Sequence, residues 1–198
     1  MKRLVLYLIT LFFVTQNLAL SYSSNPKDFV NELVNETIIK LADKNLNNEE
    51  KANFVEQVAL ENVDINALGL YTLGELRKSA NKKDIEEYQK VFEKYFLKSL
   101  TSRLTDYSKS EFKVIEADIK SSNYTIIKSQ MTPEGGDPEV KIDWRIYTKN
   151  PDKPLIRDLI VEGLSLARTQ KEEFASILNS NNNDIKILIS KLQEFVNN

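Results

Sequence analysis

The hydrophobic period of this chain changes twice, and those two changes restrict its fold more than any other feature. From Val30 to Leu104 apolar residues recur every three to four positions, which is the spacing of one face of a helix. After Tyr107 the spacing drops to two, as on the alternating faces of a strand. The helical period returns near Thr169. Helices, then an antiparallel run, then helices predict one α+β domain. The second change falls within Ile156–Phe174, whose first half is rich in β-branched and large apolar residues, as suits a mostly buried strand. Gly163 interrupts it where the backbone needs a glycine's freedom. Thr169, with Glu172 three residues later, has the form of a capping box. The spacing therefore predicts a last strand that turns directly into a helix near Thr169.

The remaining elements follow from the same signals. Asn25-Pro26-Lys27-Asp28 supplies a cap, a proline at the first helical position and an early acid, ahead of a stripe of Val30, Leu33, Val34, Thr37, Ile38 and Leu41. Asn47 and Glu50 cap a second helix carrying Phe54, Val55, Val58 and Ala59. Asp64 opens a third, to about Leu76. The longest, roughly 82–106, carries the broad aromatic stripe Ile85, Tyr88, Val91, Phe92, Tyr95, Phe96, Leu100 and Leu104. Strands are predicted at 111–118, 124–131, 139–148 and from Ile156, with a hairpin loop at Thr132–Pro138. In the clearest of them Val140, Ile142, Trp144 and Ile146 face one way, and Lys141, Asp143 and Arg145 the other. Helices at 169–179 and 184–196 close the chain. The expected architecture is a four-stranded antiparallel meander between N-terminal and C-terminal helices.

Residues 1–23 stand apart. Lys2 and Arg3 precede an apolar run from Leu4 to Val14, and small residues follow at Ala19, Ser21 and Ser23. This is the layout of a cleaved signal peptide, with the cut after Ser21 or Ser23 and a single domain at 24–198. The absence of cysteine argues against a lipoprotein. Loss of Lys2 and Arg3 takes the formal charge from −2 to −4. With no basic block, such a chain is a poor partner for nucleic acid. An exported domain without disulfides must rely on its apolar core, which about 175 residues can supply. It fits a bacterial periplasm at least as well as the extracellular space.

Catalysis has little to stand on. The chain has no histidine and no cysteine, which removes the usual nucleophile–base pairs and ordinary zinc, haem or iron–sulfur ligation. Glu49-Glu50, Glu86-Glu87 and Glu172-Glu173 fall in first helical turns, where acids satisfy free amides and the helix dipole. No closely spaced calcium loop surrounds Asp143 or Asp158. No cofactor and no metal is expected. The long-helix stripe and the Val140–Ile146 face are natural partners across a helix–sheet interface. Either they pack, or they splay and leave an apolar cavity.

Two segments bear on that choice. Leu73-Gly74-Glu75-Leu76-Arg77-Lys78-Ser79-Ala80, with Tyr88, Phe92, Tyr95, Phe96, Leu104 and Tyr107 at their spacings, resembles the first signature of the MlaC family. Asp158-Leu159-Ile160-Val161-Glu162-Gly163-Leu164-Ser165-Leu166, followed by Phe174, Ile177 and Leu178, is similar to its second. Leu76 and Arg77 stand where aromatics often follow the Leu-Gly pair, and Pro154-Leu155 where a tryptophan often opens the last strand. The family comprises periplasmic phospholipid-binding components of an ABC transport system for outer-membrane lipid asymmetry. The resemblance implies a soluble, non-enzymatic carrier with phospholipid as cargo. It also implies two partners, an inner-membrane ABC transporter complex with an MCE-domain component and an outer-membrane lipoprotein. Expected lipid-pocket residues are Leu73, Leu76, Tyr88, Phe92, Phe96 and Leu100 from helices. Val140, Ile142, Trp144, Ile146, Leu159 and Val161 come from the sheet, and Leu164 from the joint. Alternatives are a carrier of another lipid such as a hopanoid precursor, a small cone-shaped α+β enzyme using Asp or Tyr, or an interaction module with a solid core.

Overall fold

A computed structural model describes residues 22–104, 110–135 and 138–198. Most of the expected leader lies outside them, as do Tyr107 and the Gly136-Asp137 part of the hairpin loop. The first helix, α1 (Pro26–Ala42), starts where the Asn25 side chain accepts hydrogen bonds from the amides of Lys27 and Asp28. α2 (Asn48–Asn62) opens with a complete capping box between Asn47 and Glu50. The third helical stretch is shorter than its pattern predicts. α3 (Ile65–Thr72) ends before Gly74, which takes a φ of +57°, and the single turn α4 (Leu76–Ser79) intervenes before α5 (Lys82–Leu104).

β1 (Ser110–Ser121), β2 (Tyr124–Pro133), β3 (Val140–Tyr147) and β4 (Leu155–Val161) form the expected antiparallel meander. A fifth strand, β5 (Leu164–Ser165), extends it in the order β1-β2-β3-β4-β5. Glu162 and Gly163 both adopt positive φ, 49° and 84°, and Val161 pairs with Leu164 across them. That is a two-residue hairpin turn whose twist suits the flanking strands. The strand therefore doubles back before any helix begins. The following helix, α6 (Leu166–Asn179), starts three residues earlier than Thr169 predicts, because Ser165 caps it by accepting from the Arg168 amide at 3.1 Å. Thr169 is already inside, donating its hydroxyl to the Ser165 carbonyl at 3.1 Å. α7 (Ile185–Asn197) closes the chain.

One irregularity in β4 is structural. Ile146 pairs with Ile156 and Arg145 with Asp158, so Arg157 is an extra, bulged residue. A bulge inverts the strand's alternation. Ile156 and Leu159, three apart, consequently share the face of Ile146 and Trp144.

Buried residues form two clusters. One joins Phe29, Val30, Leu33 and Val34 of α1 to Ile127, Ile142, Trp144, Ile146 and Ile156 of the sheet. The other joins Leu73, Tyr88, Val91 and Phe92 to Phe174, Leu178, Leu188, Ile189 and Leu192, entirely among helices. α1 rests on the sheet, whereas α5 packs on α7, α3 and α2. The two apolar faces that pattern alone would join are thus held apart.

Val63 and Asp64, between α2 and α3, link the two halves. Val63 packs against both clusters and bridges to Ile156, whose carbonyl accepts from the Asp64 amide at 2.9 Å. One Asp64 oxygen caps α3 through the Ala67 amide at 3.2 Å. The other accepts from Arg157 at 2.7 and 2.9 Å, while the guanidinium stacks 3.4 Å from the Tyr147 ring centroid. Asp64→Ala removes a cap and an ion pair together and is expected to cost about 1–3 kcal/mol. Asp64→Asn, which keeps the cap acceptor, should cost less. Urea unfolding of both variants measures the difference.

Candidate functional site

Between the two clusters lies a cavity of about 350 Å³ with predominantly apolar walls, within the size range of small-molecule sites. Each bordering helix contributes one face, as a period of 3.6 requires. α1 presents Leu33, Val34, Thr37, Ile38 and Leu41, and α2 presents Val55, Val58, Ala59 and Asn62. α5 presents Phe92, Tyr95, Phe96, Ser99 and Leu100. Met131, Trp144 and the run Ile156–Leu159 close the sheet side. α6 divides its surface. Ala167, Phe174 and Leu178 are buried, while Leu166, Thr169, Gln170 and Glu173 border the cavity, and of these only Gln170 is even partly covered. The cavity therefore opens along α6.

Several polar groups in and around the walls are hydrogen-bonded within the protein. Asn62 donates to the Val58 carbonyl at 2.9 Å and Thr37 to the Leu33 carbonyl at 2.7 Å. The indole N–H of Trp144 reaches Ser129 Oγ at 2.9 Å, and that hydroxyl donates to the Ile142 carbonyl at 2.8 Å. Thr72 donates to the Gly69 carbonyl at 2.8 Å, so the Tyr88 hydroxyl, 2.7 Å away, is the donor to Thr72. Burial pushes the Tyr88 phenol well above its ordinary range, so it stays neutral and available for that role. Asp158 is the most heavily bonded group. It accepts from Arg145 Nη1 at 3.1 Å, Ser165 Oγ at 2.6 Å and the Ala167 amide at 2.9 Å. These bonds tie β3 and β4 to the first turn of α6, where a carboxylate also meets the helix dipole favourably. Among the described residues no group of three or more metal-ligating acids occurs.

Of the residues expected to line a pocket, Phe92, Phe96, Leu100, Trp144 and Leu159 border the cavity. Leu73, Leu76 and Tyr88 sit in or against the helical cluster, behind that wall. Val140, Ile142 and Ile146 belong to the sheet-side cluster. Val161 is partly buried at the end of β4. Leu164 is 68% exposed on the hairpin. The walls from α1, α2 and α6 were not singled out by the sequence. The available signal was a polar residue inside an apolar stripe, Thr37 in α1 and Asn62 in α2.

The geometry defines an α+β domain whose apolar interior opens between α6 and the rest of the helical layer. The family model described as "MlaC protein" matches residues 31–194, and the chain belongs to the MlaC family. Among solved structures it is similar to the phospholipid-binding protein from Ralstonia solanacearum, solved in complex with a phospholipid. That likeness has a TM-score of 0.69 at 17% identity and covers 84% of this chain and 94% of that one. Among curated proteins none matches.

Asp158→Ala leaves the Ala167 amide and the Ser165 hydroxyl without their acceptor and unpairs Arg145. It is expected to cost about 2–4 kcal/mol and to loosen the start of α6. Denaturant unfolding measures the first, and amide exchange at Ala167 and Arg168 the second.

Proposed function

We propose that this protein is a phospholipid carrier. The observation that carries the reading is the apolar cavity held open between two separately packed cores, in a chain of this family. The bound phospholipid of the Ralstonia relative supports it. Burying a methylene is worth about 0.8 kcal/mol, so two chains of ~16 carbons represent on the order of 25 kcal/mol that water refuses. A carrier must match that interior and surrender it again. The opening along α6 offers the route, with acyl chains directed toward α1, α2 and Trp144 and the headgroup left near solvent. In this reading the protein works in the periplasm, between an inner-membrane ABC transporter complex and an outer-membrane lipoprotein, in support of outer-membrane lipid asymmetry. No helix among the described residues is long and apolar enough to cross a membrane. In this reading the leader is removed after Ser21 or Ser23; the first cut retains Tyr22, whose ring meets Phe29 edge-on at 6.1 Å.

Organic extraction of the purified protein should yield phospholipid, and lipid-free protein mixed with phospholipid vesicles should take it up. Protein that stays empty in both settings overturns the reading. Trp144 is the chain's single tryptophan and borders the cavity, so its fluorescence should shift to the blue on uptake. Ala59→Phe fills the cavity from α2. It should leave the unfolding midpoint within a few degrees while lowering lipid bound per protein at least about tenfold, the expected result of occupying the space apolar cargo needs.

A further inference from the structure

Among the described residues, the mouth of the cavity carries unpaired charge of one sign. Three residues of the charged types border it, Arg157, Asp158 and Glu173. The first two are neutralised within the protein, Arg157 by Asp64 at 2.7 Å and Asp158 by Arg145 at 3.1 Å. Glu173 forms no ion pair among the described residues. Among the described residues no lysine borders the cavity. On the same helix Arg168 is paired with Glu172 at 2.8 Å, and Lys171 lies over the Tyr71 ring.

Glu173 is nevertheless oriented. The Tyr95 hydroxyl on α5 donates to Gln170 Oε1 at 3.0 Å, and Gln170 Nε2 donates to Glu173 Oε2 at 2.9 Å. A carboxylate only accepts, so the Gln170 amide can face it only with its NH₂ group. The hydrogen-bond chain thus runs from Tyr95 toward Glu173 and holds the carboxylate at the rim. Among the described residues only one of its roughly four lone-pair positions is used.

A rim with an oriented carboxylate and, among the described residues, no free cation fits one class of headgroup. An ammonium supplies donors and positive charge, whereas a net-anionic headgroup meets Glu173 with nothing to offset it. We propose that Glu173, positioned by Gln170 and Tyr95, selects phospholipids whose headgroup carries a primary ammonium over those with a net-anionic headgroup. This rests on the phospholipid-carrier reading and adds the class of cargo to it.

The test is competition. Delipidated protein is incubated with vesicles of equal phosphatidylethanolamine and phosphatidylglycerol, re-isolated, and its bound lipid quantified by mass spectrometry. Wild-type protein should be enriched in phosphatidylethanolamine about two- to fivefold, the reach of an exposed charge pair. Glu173→Gln should bring the ratio to that of the vesicles, and Glu173→Lys should invert it. Glu172→Lys makes the same charge change at a position that does not border the cavity and should keep the wild-type ratio. A wild-type ratio equal to that of the vesicles overturns the selectivity. So does a ratio that Glu173→Lys leaves unmoved while lipid is still bound. Wild-type protein that takes up no lipid of either kind overturns the carrier reading itself.

Discussion

The contact of Asp64 with Arg157 decides how the two halves of this molecule meet. Asp64 ends one helix-to-helix connection, caps α3 and grips the one residue that the β4 ladder leaves over. Because Arg157 is bulged, its side chain is free to meet α3 while its neighbours Ile156 and Leu159 turn inward. One residue later Asp158 performs the corresponding task for α6. β4 is thus the shared wall. Its inward face belongs to the sheet-side core, and its bulge and its buried carboxylate hold the helical layer at a set distance.

That distance is what makes a cavity. α5 carries an apolar arc wider than one partner needs. Part of the arc, Tyr88 and Val91, is buried against the other helices, while Phe92, Phe96 and Leu100 border the space that faces the sheet. Flexible aliphatic side chains lining such a space would tend to relax into it. On α5 the wall is largely aromatic, and it is braced. Phe92 stacks with Tyr88 and Phe96 at 5.7 and 6.3 Å between centroids and meets Phe174 edge-on at 6.2 Å. Behind it Gly69 approaches so closely that a Cβ there would fall 2.9 Å from the Phe92 ring. The ring is held from three sides.

Most of the fold is legible in the sequence because its signals are local. Caps at Asn25 and Asn47 and the alternation of β3 depend only on neighbours a few residues away. The errors arise where a distant group competes. Thr169 and Glu172 have the form of a capping box, yet Ser165 captures the helix start because Asp158, seven residues earlier, holds both Ser165 and the Ala167 amide. The bulge at Arg157 answers to Asp64, ninety-three positions away, and no period in β4 announces it. The candidate site is legible in part for the same reason. Periodicity identifies the faces of α5 and β3 as apolar. It is silent on whether two such faces touch, and silent on the contribution of α1 and α2, whose stripes look like ordinary core.

An apolar hollow has a cost that explains the divided core. A closed, empty space of this size inside a single core would forfeit on the order of 8 kcal/mol at the rate measured for engineered cavities, comparable to the whole net stability of a domain. This chain avoids staking its fold on that space. The helical cluster is complete around Tyr88, Phe174 and Leu188, and the sheet-side cluster around Phe29, Ile127 and Ile146, each almost fully buried. Neither needs the hollow to be filled. The elements that border it can then accept an apolar occupant and lose it again with both cores intact. α6 is the natural side for that exchange, since its buried face is anchored through Phe174 and Leu178 while its cavity face, Leu166 to Glu173, is already open to water.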